Sequence, residues 1–145
     1  MTTPFTLLLR VRYGECDSQQ VVFNPRYADY VDIAVTEFYR YALGGYQSLV
    51  DRSLESQVVK LDIQWQSSAR FDDVLNLQVE TTHIGTTSYT LKVDISHQDH
   101  GQKIAVAEVV YVLVDAEEFK KLPIPDDIRQ QLLIGAPDIK VNQAG

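Results

Sequence analysis

One stretch of helical period, set among stretches of strand period, is the feature that most limits what this chain can fold into. Tyr27, Tyr30, Val31, Ala34, Phe38 and Tyr41 fall on one face, with Arg26, Asp29, Asp32, Thr36 and Arg40 elsewhere. That spacing belongs to an amphipathic helix. Asn24 is a favoured N-cap, and Pro25 suits the first turn because its missing N–H would have no partner there. Gly44-Gly45 supplies a left-handed stop. Together these predict one long helix over residues 25–43.

On either side the period is two. Phe5, Leu7, Leu9, Val11 and Tyr13 alternate with mostly polar neighbours, as do Val59, Leu61, Ile63 and Trp65. Leu75, Leu77 and Val79 repeat the pattern, followed by Tyr89, Leu91, Val93 and Ile95. Residues 104–114 are apolar almost throughout, which predicts a strand covered on both faces. Asp72-Asp73, His83-Ile84-Gly85 and Asp99-His100-Gly101 provide turn chemistry between the strands. The expectation is an α+β fold, with one long helix wrapped by a five-stranded antiparallel sheet whose last four strands form a meander. One helix cannot cover both faces of such a sheet, so a second copy of the chain is the simplest further layer. A short helical pattern at 126–133 closes a single domain over residues 1–135, with 136–145 expected as a flexible tail.

Composition narrows the function. The formal net charge of −7 argues against nucleic acid as the main partner, since that binding draws on clustered Lys and Arg. The apolar runs are too short or interrupted to span a bilayer, and residues 1–20 lack the apolar region of a signal peptide. A cytoplasmic location is the expectation. The single Cys16 excludes an internal disulfide and fits a reducing compartment.

Chemistry centres on Asp17, which follows the first strand and precedes the helix start by a few residues. A helix N-terminus offers unpaired N–H groups and the positive end of a dipole, so an acid and an oxyanion-stabilising end lie close in sequence. The plain alternative is a turn aspartate capping local N–H groups. Glu15 reads as a surface ion pair or as half of a carboxylate pair. Cys16 reads as a small buried side chain, since nothing in the sequence supplies the electropositive setting of a thiolate. His97 and His100 lack a third metal ligand of matching type nearby and read as a solvated turn. Thr86, Thr87 and Ser88 are hydroxyls that either cap a turn or bind phosphate. Metal ligands and cofactor motifs are not expected, since no Gly-rich phosphate loop and no HExxH occurs.

The segment RYGECDSQQVVFNPRYADYVDIAVTEFYR, residues 12–40, resembles the signature of hotdog-fold acyl-CoA thioesterases of the 4-hydroxybenzoyl-CoA thioesterase type. Ala69–Leu75, Ile84-Gly85 with Ser88-Tyr89, Val109–Asp115 and Pro123-Ile124-Pro125 continue the likeness in order, over about residues 5–133. The resemblance implies hydrolysis of an acyl-CoA thioester to a carboxylate and CoA by a homodimer or homotetramer whose subunits join into one extended sheet. It implies Asp17 as general base or nucleophile, and the backbone N–H of Asn24 as the group that polarises the thioester carbonyl. Val22, Phe23 and Tyr27 would line the acyl pocket. Two positions depart from the pattern. Gln20 stands where the family often has Gly, so it either alters the turn or faces the substrate. Thr86 and Thr87 stand where the family has arginines for the CoA phosphates, which leaves Arg70 as a substitute. A hotdog hydratase and a non-catalytic acyl-thioester binder are the alternatives. The hydratase ranks lower because no His precedes His83.

Overall fold

A computed structural model describes residues 2–145. Helix α1 spans Arg26–Ala42 and buries Tyr27, Tyr30, Val31, Ala34, Val35, Phe38, Tyr39 and Ala42. Its apolar stripe advances by three and four residues and so reaches Tyr39 and Ala42. Tyr41, expected on that face, falls beside the stripe and is exposed. The helix stops where the N–H groups of Leu43 and Gly45 both reach the Tyr39 carbonyl, with Gly44 at φ 77° and Gly45 at φ 102°. Backbone of that kind is open to glycine and costly for other residues. At the other end Pro25, not Asn24, takes the cap position. The first N–H groups close tight turns, from Arg26 to the Phe23 carbonyl and from Tyr27 to that of Asn24.

The sheet has six strands: β1 (Phe5–Arg10), β2 (Leu54–Trp65), β3 (Val74–Ile84), β4 (Ser88–His97), β5 (Lys103–Asp115) and β6 (Lys140–Gln143), in the order β2-β5-β4-β3-β1-β6. Two short helices, α2 (Gln47–Val50) and α3 (Asp126–Ile134), complete the chain, the second where the sequence pattern placed it. The architecture is α+β with one long helix on the sheet, but two expectations are corrected.

First, the last four predicted strands do not form a simple meander. β3, β4 and β5 do, whereas β2 pairs with β5 and leaves β3 to pair with β1. The nearly continuous apolarity of β5 suits an interior place between two neighbours. After β2 the chain therefore crosses the sheet through residues 66–73.

Second, the sheet is mixed and has a sixth strand, because residues 140–143 of the expected tail lie parallel to β1, from Thr6↔Lys140 to Leu9↔Gln143. Without β6 the outer backbone groups of β1 would be an open edge. Arg10 Nε fastens the end further by donating to the Ala144 carbonyl at 2.9 Å.

The outward side of β5 is partly covered by its own chain. Val112 and Val114 are buried, beside the point where Lys121-Leu122 pairs back onto β5, whereas Val106 and Val110 are half-buried and Glu108 is exposed. Among the described residues no helix is long and apolar enough to cross a membrane.

Candidate active site

β1 ends at Arg10, and the chain then makes a single helical turn over Tyr13–Glu15. The loop that follows doubles back on itself. Asp17 N–H reaches the Val21 carbonyl and Gln20 N–H reaches the Asp17 carbonyl, both at 2.9 Å, and Cys16 bridges Val22. Gln20 closes this turn at φ 63°. The turn that glycine would make is therefore kept, and a side-chain-bearing residue holds the left-handed backbone at some cost. The crossing segment 66–73 packs alongside: Val21 bridges Arg70, and Val22 N–H donates to the Ala69 carbonyl at 2.9 Å. Asp73 holds that segment in place by accepting the Arg70 N–H at 2.8 Å.

The Asp17 carboxylate is half-buried. Its Oδ1 accepts the Gln19 N–H at 2.8 Å, and among the described residues Oδ2 has no hydrogen-bond donor. The side chain lines a cavity of about 400 Å³ with Tyr13, Cys16, Gln20, Arg70 and Phe71. Arg70 and Gln20 thus sit with Asp17. Tyr13 and Phe71 meet edge to face at 5.8 Å on the rim and were not singled out from sequence, although a Phe after Arg70 is a visible apolar outlier in a polar turn. Cys16 is in the same cavity, and burial together with the carboxylates of Glu15, Asp17 and Asp73 pushes its thiol up from the usual range. It stays a neutral thiol there rather than a nucleophilic thiolate.

Asn24 opens on a different hollow. It lines a depression of about 310 Å³ with Val22, Tyr27, Trp65, Gln66, Ser67 and Ser68. Its N–H makes no hydrogen bond among the described residues, while the N–H groups that follow in α1 are taken by tight turns. Tyr27 stands edge-on to Trp65 at 5.8 Å in this depression, and Val22 is buried beside it. Phe23 is exposed and lines neither hollow. Within one chain the carboxylate and the free N–H thus open on two neighbouring hollows that share no lining residue.

Thr86, Thr87 and Ser88 are not brought to Asp17. They lie at the opposite end of β3 and β4, where Thr86 and Thr87 carbonyls accept the N–H groups of Ile124 and Leu113 at 2.9 Å each. His97 is not solvated as expected. Its ring packs 4.4 Å from that of His100, and its Nδ1 lies 3.6 Å from Asp73 Oδ2. Among the described residues no three His, Cys, Asp or Glu side chains converge on a metal position. Glu15 is neither a surface ion pair nor a partner of Asp17. Its Oε1 accepts the Arg12 N–H and the Tyr30 O–H, each at 2.8 Å. The signal for that contact was available, since a tyrosine on the buried face of a helix needs an acceptor for its hydroxyl.

One long helix lying on a largely antiparallel sheet is the hotdog architecture. The family model of the thioesterase-like superfamily matches residues 11–132, and the chain belongs to that family. An acyl-CoA thioester hydrolase, YbgC, of Escherichia coli O6:H1 is 30% identical over 127 residues, covering 88% of this chain and 94% of that one. The 4-hydroxybenzoyl-CoA thioesterase of a Pseudomonas species is 22% identical over 135 residues, covering 88% and 96%. A thioesterase-superfamily crystal structure from Jannaschia superposes with a TM-score of 0.84 at 24% identity, covering 92% of this chain and 94% of that one, which shows the shared fold.

Proposed function

We propose that this chain hydrolyses acyl-CoA thioesters to a free carboxylate and CoA, with Asp17 as the reacting acid. The observation that carries the reading is the Asp17 carboxylate itself: half-buried, oriented through one oxygen by Gln19, and open through the other to a cavity. It acts either by taking a proton from the water that attacks the thioester carbonyl, or by attacking that carbon to give a mixed anhydride that water then opens. Both routes build negative charge on the carbonyl oxygen and expel CoA as its thiolate. The free Asn24 N–H at the start of α1 is the donor for that oxygen. Gln20 and Arg70 contact the substrate beside Asp17, and Val22 and Tyr27, which line the Asn24 depression, wall the acyl side.

The working unit is a homodimer, or a tetramer built from two. β2 is an edge strand whose outer backbone is unpaired, and it exposes Val58, Val59, Leu61 and Trp65. Long apolar edges of that kind are normally covered. Two copies paired antiparallel along β2 would bring the Thr86–Ser88 end of one sheet alongside the Asp17 end of the other, the arrangement in which those hydroxyls meet substrate. A reducing cytoplasm suits the free Cys16.

Thiol release from short, medium, long and aromatic acyl-CoAs tests the reading. Hydrolysis of at least one of them is expected. Tight binding of acyl-CoA without release from any would make the chain a binding module instead.

A further inference from the structure

Glu15 connects the two halves of the site. Its carboxylate holds the Arg12 N–H and the Tyr30 O–H, and its carbonyl accepts the Phe23 N–H at 2.9 Å. Asp17 is two residues further along the loop, and Asn24 follows Phe23 at the start of α1. Tyr30 is 1% exposed and stands edge-on to Tyr27 at 5.6 Å, which itself lines the Asn24 depression. The only side-chain hydrogen bond between the 13–17 segment and α1 among the described residues is therefore the one between Glu15 and Tyr30. A phenylalanine would fill the same space, so the hydroxyl serves orientation rather than packing. Burial, with the Glu15 carboxylate beside it, holds the Tyr30 proton on its oxygen far above the ordinary range, so Tyr30 is a fixed donor. Glu15 itself lines neither hollow and is turned away from substrate.

We propose that Glu15 and Tyr30 are positioning residues for thioester hydrolysis: their hydrogen bond fixes the Asp17 loop against α1 and so sets the distance from the Asp17 carboxylate to the Asn24 N–H. The inference rests on the hydrolase reading above. Reactions of this kind are sensitive to such a distance, because misplacing a reacting group by about 1 Å costs up to about 100-fold in rate.

The test is Tyr30→Phe, which keeps the ring and removes the bond. Steady-state kinetics on an acyl-CoA that the wild type cleaves should show kcat lowered about tenfold, KM changed by less than about twofold, and the pH profile of kcat unmoved. Amide exchange across residues 16–23 should accelerate about tenfold as the loop loosens. Glu15→Gln retains an acceptor oxygen and should keep kcat within about threefold, whereas Glu15→Ala, which also leaves the Arg12 N–H unpartnered, should lose at least as much as Tyr30→Phe. Wild-type kcat in Tyr30→Phe, or unchanged exchange in that variant, would overturn the proposal. So would a loss in Glu15→Gln as large as in Asp17→Asn, because charge rather than a hydrogen bond would then be at work. A wild type that cleaves no acyl-CoA would instead bring down the hydrolase reading, and the exchange measurement would still decide whether the bond clamps the loop.

Discussion

The two ends of the sheet use tyrosine in opposite ways. At the Asp17 end Tyr13 is 80% exposed, leans on an exposed Phe71, and borders an open cavity beside a strained Gln20. At the other end Tyr39 and Tyr89 are buried with Tyr111, and a chain of hydroxyls runs from Tyr39 through Tyr89 to Ser56. Tyr89 and Tyr111 stack at 5.2 Å, and Tyr39 meets Tyr111 edge-on at 6.3 Å. Polar groups that satisfy one another inside a core hold a fold together. Open carboxylate oxygens, free N–H groups and left-handed backbone lower stability and are kept where chemistry needs them. The contrast sets a buried tyrosine cluster that carries stability against the end that holds Asp17, where the proposed reaction would run.

The largest expected effect breaks the quiet end. Tyr39→Ala should cost about 3–5 kcal/mol in denaturant unfolding, the range for deleting a buried aromatic ring, while turnover per folded molecule stays at the wild-type level. A small loss of stability, or a large loss of turnover, would erase the division of labour.

Raising the pH probes the same end without a mutation. Burial lifts Tyr39, Tyr89 and Tyr111 above their ordinary 10.0, and Tyr89 is pushed up to about 12. The unfolded chain loses these protons near 10.0 and the folded chain holds them longer, so above that pH the unfolded state binds fewer protons. Stability should be fully present below pH 10 and fall as pH rises towards about 12. Urea melts at rising pH measure it, and Tyr89→Phe should flatten the decline. An unchanging midpoint through that window would contradict burial as the cause.

The smallest effect sharpens the reactive end. Gln20→Gly removes a side chain from backbone at φ 63°. Relief of that strain, less the added freedom of the unfolded chain, should stabilise by about 0.5–1 kcal/mol in thermal or urea unfolding. A loss of stability would mean that the Gln20 side chain, not its backbone, matters to the fold.

Much of this was readable beforehand, and the boundary follows the reach of each interaction. Helix α1, its Gly44-Gly45 stop and the alternating strands β3 and β4 are set by neighbours a few residues apart, and the sequence pattern placed them. The β2–β5 pairing and the parallel β6 depend on partners distant in sequence, and the four polar-leaning residues of β6 carry no period of their own. Asp17 stood out because an acid before a helix start is a local signal. The separation of Asp17 from Asn24, the exposed Tyr13–Phe71 rim and the Glu15–Tyr30 bond arise only when the loop folds back against α1 and the crossing segment.

The most direct measurement is thiol release by wild type and Asp17→Asn side by side on the best acyl-CoA, with thermal unfolding of both. The account predicts that Asp17→Asn melts with the wild type and turns over about 100-fold more slowly or worse, the loss typical of removing a positioned acid or base. A folded Asp17→Asn that releases thiol at the wild-type rate would contradict it.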